Sequence, residues 1–98
     1  MKFIQIIEFK TKDIDAFTKT VDDFLKETEG TRTATRGVQV QDRDAADTYM
    51  QIVEFPSYEA AMENSNNPAT ADFAARLAKL CDGPPTFRNL DVLRDETM

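Results

Sequence analysis

The chain has 98 residues, 41% of them apolar and 31% charged with mixed sign, which suits one globular domain over residues 1–98 and excludes a disordered polyelectrolyte. Its formal charge of −6 works against a nucleic-acid or anionic-membrane partner, because the summed field repels polyphosphate. No apolar run reaches the length of a membrane span, no secretory-signal pattern precedes the first strand, and a single cysteine, Cys81, fits a reducing, cytoplasmic setting.

Residues 2–10 predict a strand whose faces are Phe3, Gln5, Ile7, Phe9 and Ile4, Ile6, Glu8. Both faces carry large apolar side chains, so neither is expected to meet bulk water along its length. Asp13 is an expected N-cap for a helix whose inner stripe is Ile14, Phe17, Val21, Phe24, Leu25 and Thr28, and Gly30 is its expected stop. Residues 31–42 predict a polar edge strand, with Ala34, Arg36, Val38 and Val40 on one face and Thr33, Thr35, Gly37 and Gln39 on the other. Gly37 suggests a bulge, a bend, or something close against the backbone.

A charged loop at 42–47 returns the chain into a further strand at 49–55. Ser57 then caps a short helix with Tyr58, Ala61 and Met62 on one side, and the cluster Asn64 to Asn67 interrupts it. Asn67 and Pro68 have the form of a cap and a first-turn proline, restarting a helix with Phe73, Ala74, Leu77, Leu80 and Cys81 inward. Cys81 is expected there as a buried structural thiol. Asp82-Gly83-Pro84-Pro85 ends that helix, residues 86–94 predict a last strand, and 95–98 a loose tail.

The segment Phe3-Ile4-Gln5-Ile6-Ile7-Glu8-Phe9 recurs as Tyr49-Met50-Gln51-Ile52-Val53-Glu54-Phe55, offset by 46 residues. Each copy runs into a helical pattern and then another strand, so the chain reads as a βαβ unit written twice. The expected fold is α+β and ferredoxin-like, βαββαβ, with a four-stranded antiparallel sheet and the helices on one face. The two copies become neighbouring central strands, with Gln5 and Gln51 on the same face. The uncovered face then carries Ile4, Ile6, Met50 and Ile52, or else Phe3, Ile7, Val53 and Phe55. Either set is an apolar patch that a second copy of the chain would cover, predicting an isologous homodimer through the open sheet face.

These residues resemble the dimeric α+β barrel superfamily and, within it, the antibiotic-biosynthesis-monooxygenase-like (ABM) domains. The resemblance is carried by the strand Phe3 to Phe9, the strand Tyr49 to Phe55 with Ser57-Tyr58-Glu59-Ala60-Ala61-Met62 after it, and Asn67-Pro68-Ala69-Thr70-Ala71-Asp72-Phe73. Leu80 to Val92 is similar to actinobacterial members of the group. The resemblance implies a dimeric α/β barrel, often with a cavity in each subunit between sheet and helices. Some such proteins oxygenate polycyclic phenols or quinols without a cofactor, and others degrade haem. The haem degraders use a histidine, common just after the proline where this chain has Ala69, and several catalytic members carry a histidine or tryptophan in the cavity. This chain has neither residue, so the expectation is no haem, no metal and no cofactor.

Cofactor-free oxygenation needs a pocket that holds an electron-rich aromatic molecule and favours its deprotonated form. The polar candidates are Gln5, Arg36, Tyr49, Gln51, Tyr58, Asn64, Asn66, Arg88 and Asn89. Each has an ordinary structural explanation beside it. Gln5 and Gln51 can satisfy each other as a buried amide pair, and Tyr49 and Tyr58 can be core aromatics with the hydroxyl at the rim. Arg32, Arg36, Arg88 and Arg94 can pair with Glu8, Glu54 and Asp91, with an anion site as the lesser reading, while the asparagine cluster serves turns and caps. The acidic pairs lack the glycine and distal glutamate of a calcium loop and read as caps and solvated faces. Two functions remain in view: an ABM-like homodimer that binds a small, largely apolar organic ligand and acts as a cofactor-independent monooxygenase or isomerase-like enzyme, and a non-catalytic dimerisation or stress-response module with a filled core.

Overall fold

A computed structural model describes residues 1–98. Its elements run β1 (Phe3–Lys10), α1 (Ile14–Glu27), β2 (Arg36–Gln41), β3 (Thr48–Phe55), α2 (Tyr58–Ser65), α3 (Pro68–Ala78) and β4 (Thr86–Asp91). The strands form one antiparallel sheet in the order β2-β3-β1-β4. This is the ferredoxin-like α+β arrangement expected from the repeat, with its two copies as the central pair.

Register decides which face the helices cover. Phe3 pairs with Phe55, Gln5 with Val53, Ile7 with Gln51 and Phe9 with Tyr49, so these eight side chains share one face. Phe3, Phe9 and Phe55 are buried there, and Phe9 stacks on Phe17 of α1 at 3.9 Å between ring centroids. The other face carries Ile4, Ile6, Met50 and Ile52, extended by Val38 and Val40 of β2 and Leu90 of β4. No helix packs on it. Of the two alternatives left open by the sequence, the phenylalanine face is covered and the isoleucine face is bare.

The helix ends follow local chemistry. Asp13, Ser57 and Asn67 each accept a backbone N–H through the side chain, at 3.0, 3.1 and 3.0 Å from Ala16, Ala60 and Ala69. Pro68 occupies the first turn of α3, where its missing N–H costs nothing. Gly30, at φ +83, and Gly83, at φ +90, adopt the left-handed backbone after α1 and α3 that other residues resist.

Four expectations change. The strand read over 31–42 is ordered as β only from Arg36 to Gln41, because Thr31 and Arg32 donate back to Thr28 in a turn that closes α1. Gly37 makes no bulge, since the pairing with β3 runs unbroken; what approaches it is the Gln51 amide nitrogen, 3.8 Å from where a Cβ would stand. The last strand stops at Asp91 and all six of its residues are exposed. Helix α3 ends at Ala78 and buries no residue fully, so Leu80 and Cys81 lie in the turn beyond it, and Cys81 is only half-buried.

Candidate functional site

The fully buried core is small: Phe3, Phe9, Phe17, Phe24, Phe55 and Ala61. It is concentrated under α1 and the start of α2. Helix α3 meets α1 through the stacked rings of Phe24 and Phe73, 4.1 Å apart, and through Arg76, which reaches Glu27 at 3.2 Å. It thereby forms a roof that does not come down onto the sheet. The space below is a cavity of about 560 Å³. That volume falls in the range of small-molecule sites.

Topology gives the cavity two different ends. Because α1 runs antiparallel to β1, its first turns lie over Phe9 and its last over the start of β2. The end under the start of α1 is therefore walled by Phe9, Phe17, Leu77, Ala78, Pro85 and Phe87, of which Ala78 and Phe87 are also exposed. The opposite end is walled by Arg32, Thr35, Asn64, Ser65 and Thr70, which come from the turn after α1, the approach to β2, the end of α2 and the start of α3. Gln5 and Gln51 stand midway on the sheet. The lining contains no aspartate, glutamate, lysine or histidine, and its only charged residues are Arg32 and Arg36.

Of the nine residues singled out in the sequence, Gln5, Gln51, Asn64 and Arg36 border this cavity. The two glutamines are diagonal rather than opposite and form no clasp. Gln5 donates from Nε2 to Asn89 Oδ1, its direct neighbour on β4, at 3.3 Å. Gln51 Oε1 is buried without a hydrogen-bond partner, an unmet acceptor in the wall of the cavity. Arg36 sits opposite Glu54, so its side chain belongs to the bare face and it borders the cavity only along the strand edge.

The remaining candidates lie elsewhere. Tyr49 stacks on Phe9 at 5.7 Å, and its hydroxyl lies 3.5 Å from Gln41 Nε2. Tyr58 is about half exposed and packs edge-on against Phe3 at 5.5 Å. Asn66 is the C-cap of α2, and Arg88 faces Glu8 across the bare sheet face at 4.0 Å. The expected arginine pairs are otherwise not formed: Lys2 takes Glu54, at 3.0 Å, and Arg94 pairs with Glu96.

Residues outside the nine also border the cavity, among them Thr70, Cys81 and Arg32. Thr70 Oγ1 is a second buried group without a partner, and Cys81 lies at the end near Phe9. Burial pushes the Cys81 thiol above its ordinary range, and the neighbouring Asp82 adds to the effect. Arg32 is half-buried and belongs to none of the chain's salt bridges, which engage Lys2, Lys19, Arg76, Arg88 and Arg94. It donates from Nη1 to the Leu25 carbonyl at 2.8 Å and to Thr28 Oγ1 at 3.4 Å, closing the C-terminus of α1. No cluster of three or more His, Cys, Asp or Glu side chains comes together anywhere, and no helix is long and apolar enough to cross a membrane.

No protein-family model matches the sequence, and no curated protein matches it either. Solved structures match the fold closely. Rv0793 from Mycobacterium tuberculosis superposes with a TM-score of 0.79 at 15% identity, over 99% of this chain and 100% of that one. An antibiotic biosynthesis monooxygenase superposes at 0.73 and 13% identity, over 96% of this chain and 100% of that one. SnoaB from Streptomyces nogalater, a cofactor-independent oxygenase, superposes at 0.74 and 14% identity, over 96% and 95% of the two chains. The fold is that of the ABM-like structures, as the resemblance in the sequence implied.

Proposed function

We propose that this chain binds a small, largely apolar organic molecule between its sheet and helices, that two copies pair through the bare sheet faces, and that the chemistry is cofactor-independent oxygenation of a polycyclic phenol or quinol. The observation that carries the reading is the 560 Å³ cavity, apolar for most of its wall and crossed by a few polar groups. The fold shared with a cofactor-independent oxygenase supports the choice of chemistry. For a phenol with a free ring position, the substrate supplies four electrons to O₂. One oxygen atom enters the ring as a quinone carbonyl and the other leaves as water, so neither metal nor flavin is required.

With no carboxylate, lysine or histidine in the lining, the proton of the phenol passes to water, and Gln5, Asn64 and Arg32 are the donors available to stabilise the phenolate left behind. Oxygen-electrode measurements with a panel of polycyclic phenols and hydroquinones test the chemistry. Consumption above the enzyme-free rate for at least one compound is expected; none across the panel returns the chain to the non-catalytic alternative.

The dimer is motivated by Ile4, Ile6, Ile52, Met50 and Val38 lying together on a face that no helix covers. Light scattering at micromolar concentration is expected to give twice the 11.1 kDa chain mass. Ile52→Asp is expected to bring it to the monomer value, and a monomer mass for the unaltered chain removes the dimer.

A further inference from the structure

Arg32 is half-buried, and the groups it meets are the Leu25 carbonyl and the Thr28 hydroxyl rather than a carboxylate. The chain has 18 acidic against 12 basic residues, so counter-charges are not scarce. Arg32 nevertheless stands at one end of the cavity with no acidic side chain in the lining and no salt bridge of its own. Its contacts use only Nη1, toward Leu25 and Thr28. Nε and Nη2, the edge of the fork that grips a planar anion, remain available. Thr35, Asn64 and Ser65 surround the same end with neutral hydrogen-bonding groups, while the opposite end is aromatic and aliphatic.

We infer that the cavity's ligand is an amphipathic organic anion, with a carboxylate, sulfonate or stabilised enolate head held by Arg32 and an aromatic body directed toward Phe17 and Phe87. The inference rests on the cavity being a ligand site. It goes beyond that reading by fixing the charge of the ligand, its orientation and the residue that selects it. An anionic head also accounts for a lining without carboxylates, since any would repel the ligand in a poorly screened space. The acidic surface and the cationic end of the cavity then act in opposite senses: the surface slows approach of anions in general, and Arg32 retains the one whose body fits.

Two fluorescent probes with the same aromatic skeleton test this directly: anilinonaphthalene sulfonate, which is anionic, and N-phenylnaphthylamine, which lacks the sulfonate. The sulfonate is expected to bind about tenfold tighter or better, as one charge-assisted contact in a desolvated site provides. Arg32→Gln removes the charge and the fork while keeping a polar side chain; it is expected to leave the neutral probe unchanged and bring the two affinities within about twofold. Arg43→Gln, in the exposed 42–47 loop and outside the lining, is expected to preserve the preference. If neither probe binds the unaltered protein, the cavity reading itself fails. If the neutral probe binds and the anion is not preferred, or if Arg32→Gln keeps the preference, the cavity reading stands and the anion assignment is overturned. Should Arg32→Gln fold poorly, the arginine Nε–H spectrum of the unaltered protein decides: a shift of the Arg32 resonance with the sulfonate alone supports the assignment, and no shift overturns it.

Discussion

The two βαβ halves start from nearly the same strand and finish differently. In the first, one continuous helix of 14 residues lays Phe17 onto Phe9 of the sheet and Phe24 against Phe73 of α3, and buries both. In the second, the helical stretch is divided at Asn66 and Asn67; α2 buries Ala61, while the 11-residue α3 buries nothing fully. The first half supplies the core and the second supplies the opening. A cavity in this fold therefore needs no missing side chain. It needs one helix interrupted so that its later part stands away from the sheet.

The comparison fails or sharpens on a few substitutions. Phe17→Ala removes a 1%-exposed ring stacked on Phe9 and is expected to cost about 3–5 kcal/mol in urea denaturation. Leu77→Ala, in the equivalent role on α3, faces the cavity and is expected to cost about 1 kcal/mol or less, well short of a filled-core deletion. Equal losses would show that the halves are packed alike. Asn67→Ala removes the cap that restarts α3 and is expected to cost about 1 kcal/mol. Arg76→Gln breaks the ties to Glu27 and Asp72, both at the surface, and is expected to cost about 0.5 kcal/mol, with thermal unfolding as the measurement.

The smallest effect is a matter of pH. The Cys81 thiol is held neutral by burial, so its contribution to stability is complete below the pKa of the unfolded chain and is lost as pH rises toward the higher folded value. Alkylation of Cys81 by iodoacetamide is expected to rise with pH later than that of a free thiol, and to slow further when N-phenylnaphthylamine fills the cavity. An alkylation profile matching free cysteine would place the thiol outside the cavity wall.

What the sequence made legible was local. Asp13, Ser57 and Asn67 announced their helices because a cap acts within three residues, and the alternation of Phe3, Gln5, Ile7 and Phe9 sorted side chains to faces before any partner strand was known. Which face the helices cover was not legible, since both are apolar and only the packing of Phe17 on Phe9 decides it. Sites were harder. Gln5 and Gln51 were visible as polar residues on apolar strands, but the choice of Asn89 as the partner of Gln5 depends on which strand lies outside β1. Arg32 was visible only as one of four arginines expected to find acidic partners, and Thr70 gave no signal, because a first-turn threonine looks ordinary until a distant roof and floor enclose it.

The register of the central strands bears on how the repeat works. Ile6 is paired with Ile52, and these residues are each other's counterparts in the two copies, 46 positions apart. A local twofold axis therefore passes between them, normal to the sheet, and every other equivalent pair is displaced symmetrically about it. Gln5 and Gln51 are one such pair, yet beyond the axis one meets Asn89 and the other Gln39, whose amide is already donated to Thr18. The pairing of all four strands keeps the symmetry that the duplicated segment implies, Gln39 lying opposite Gln51 as Asn89 lies opposite Gln5, and only the side chains of the outer strands break it. Identical glutamines thus acquire unlike surroundings: one bonded across the sheet, the other left with an unmet oxygen.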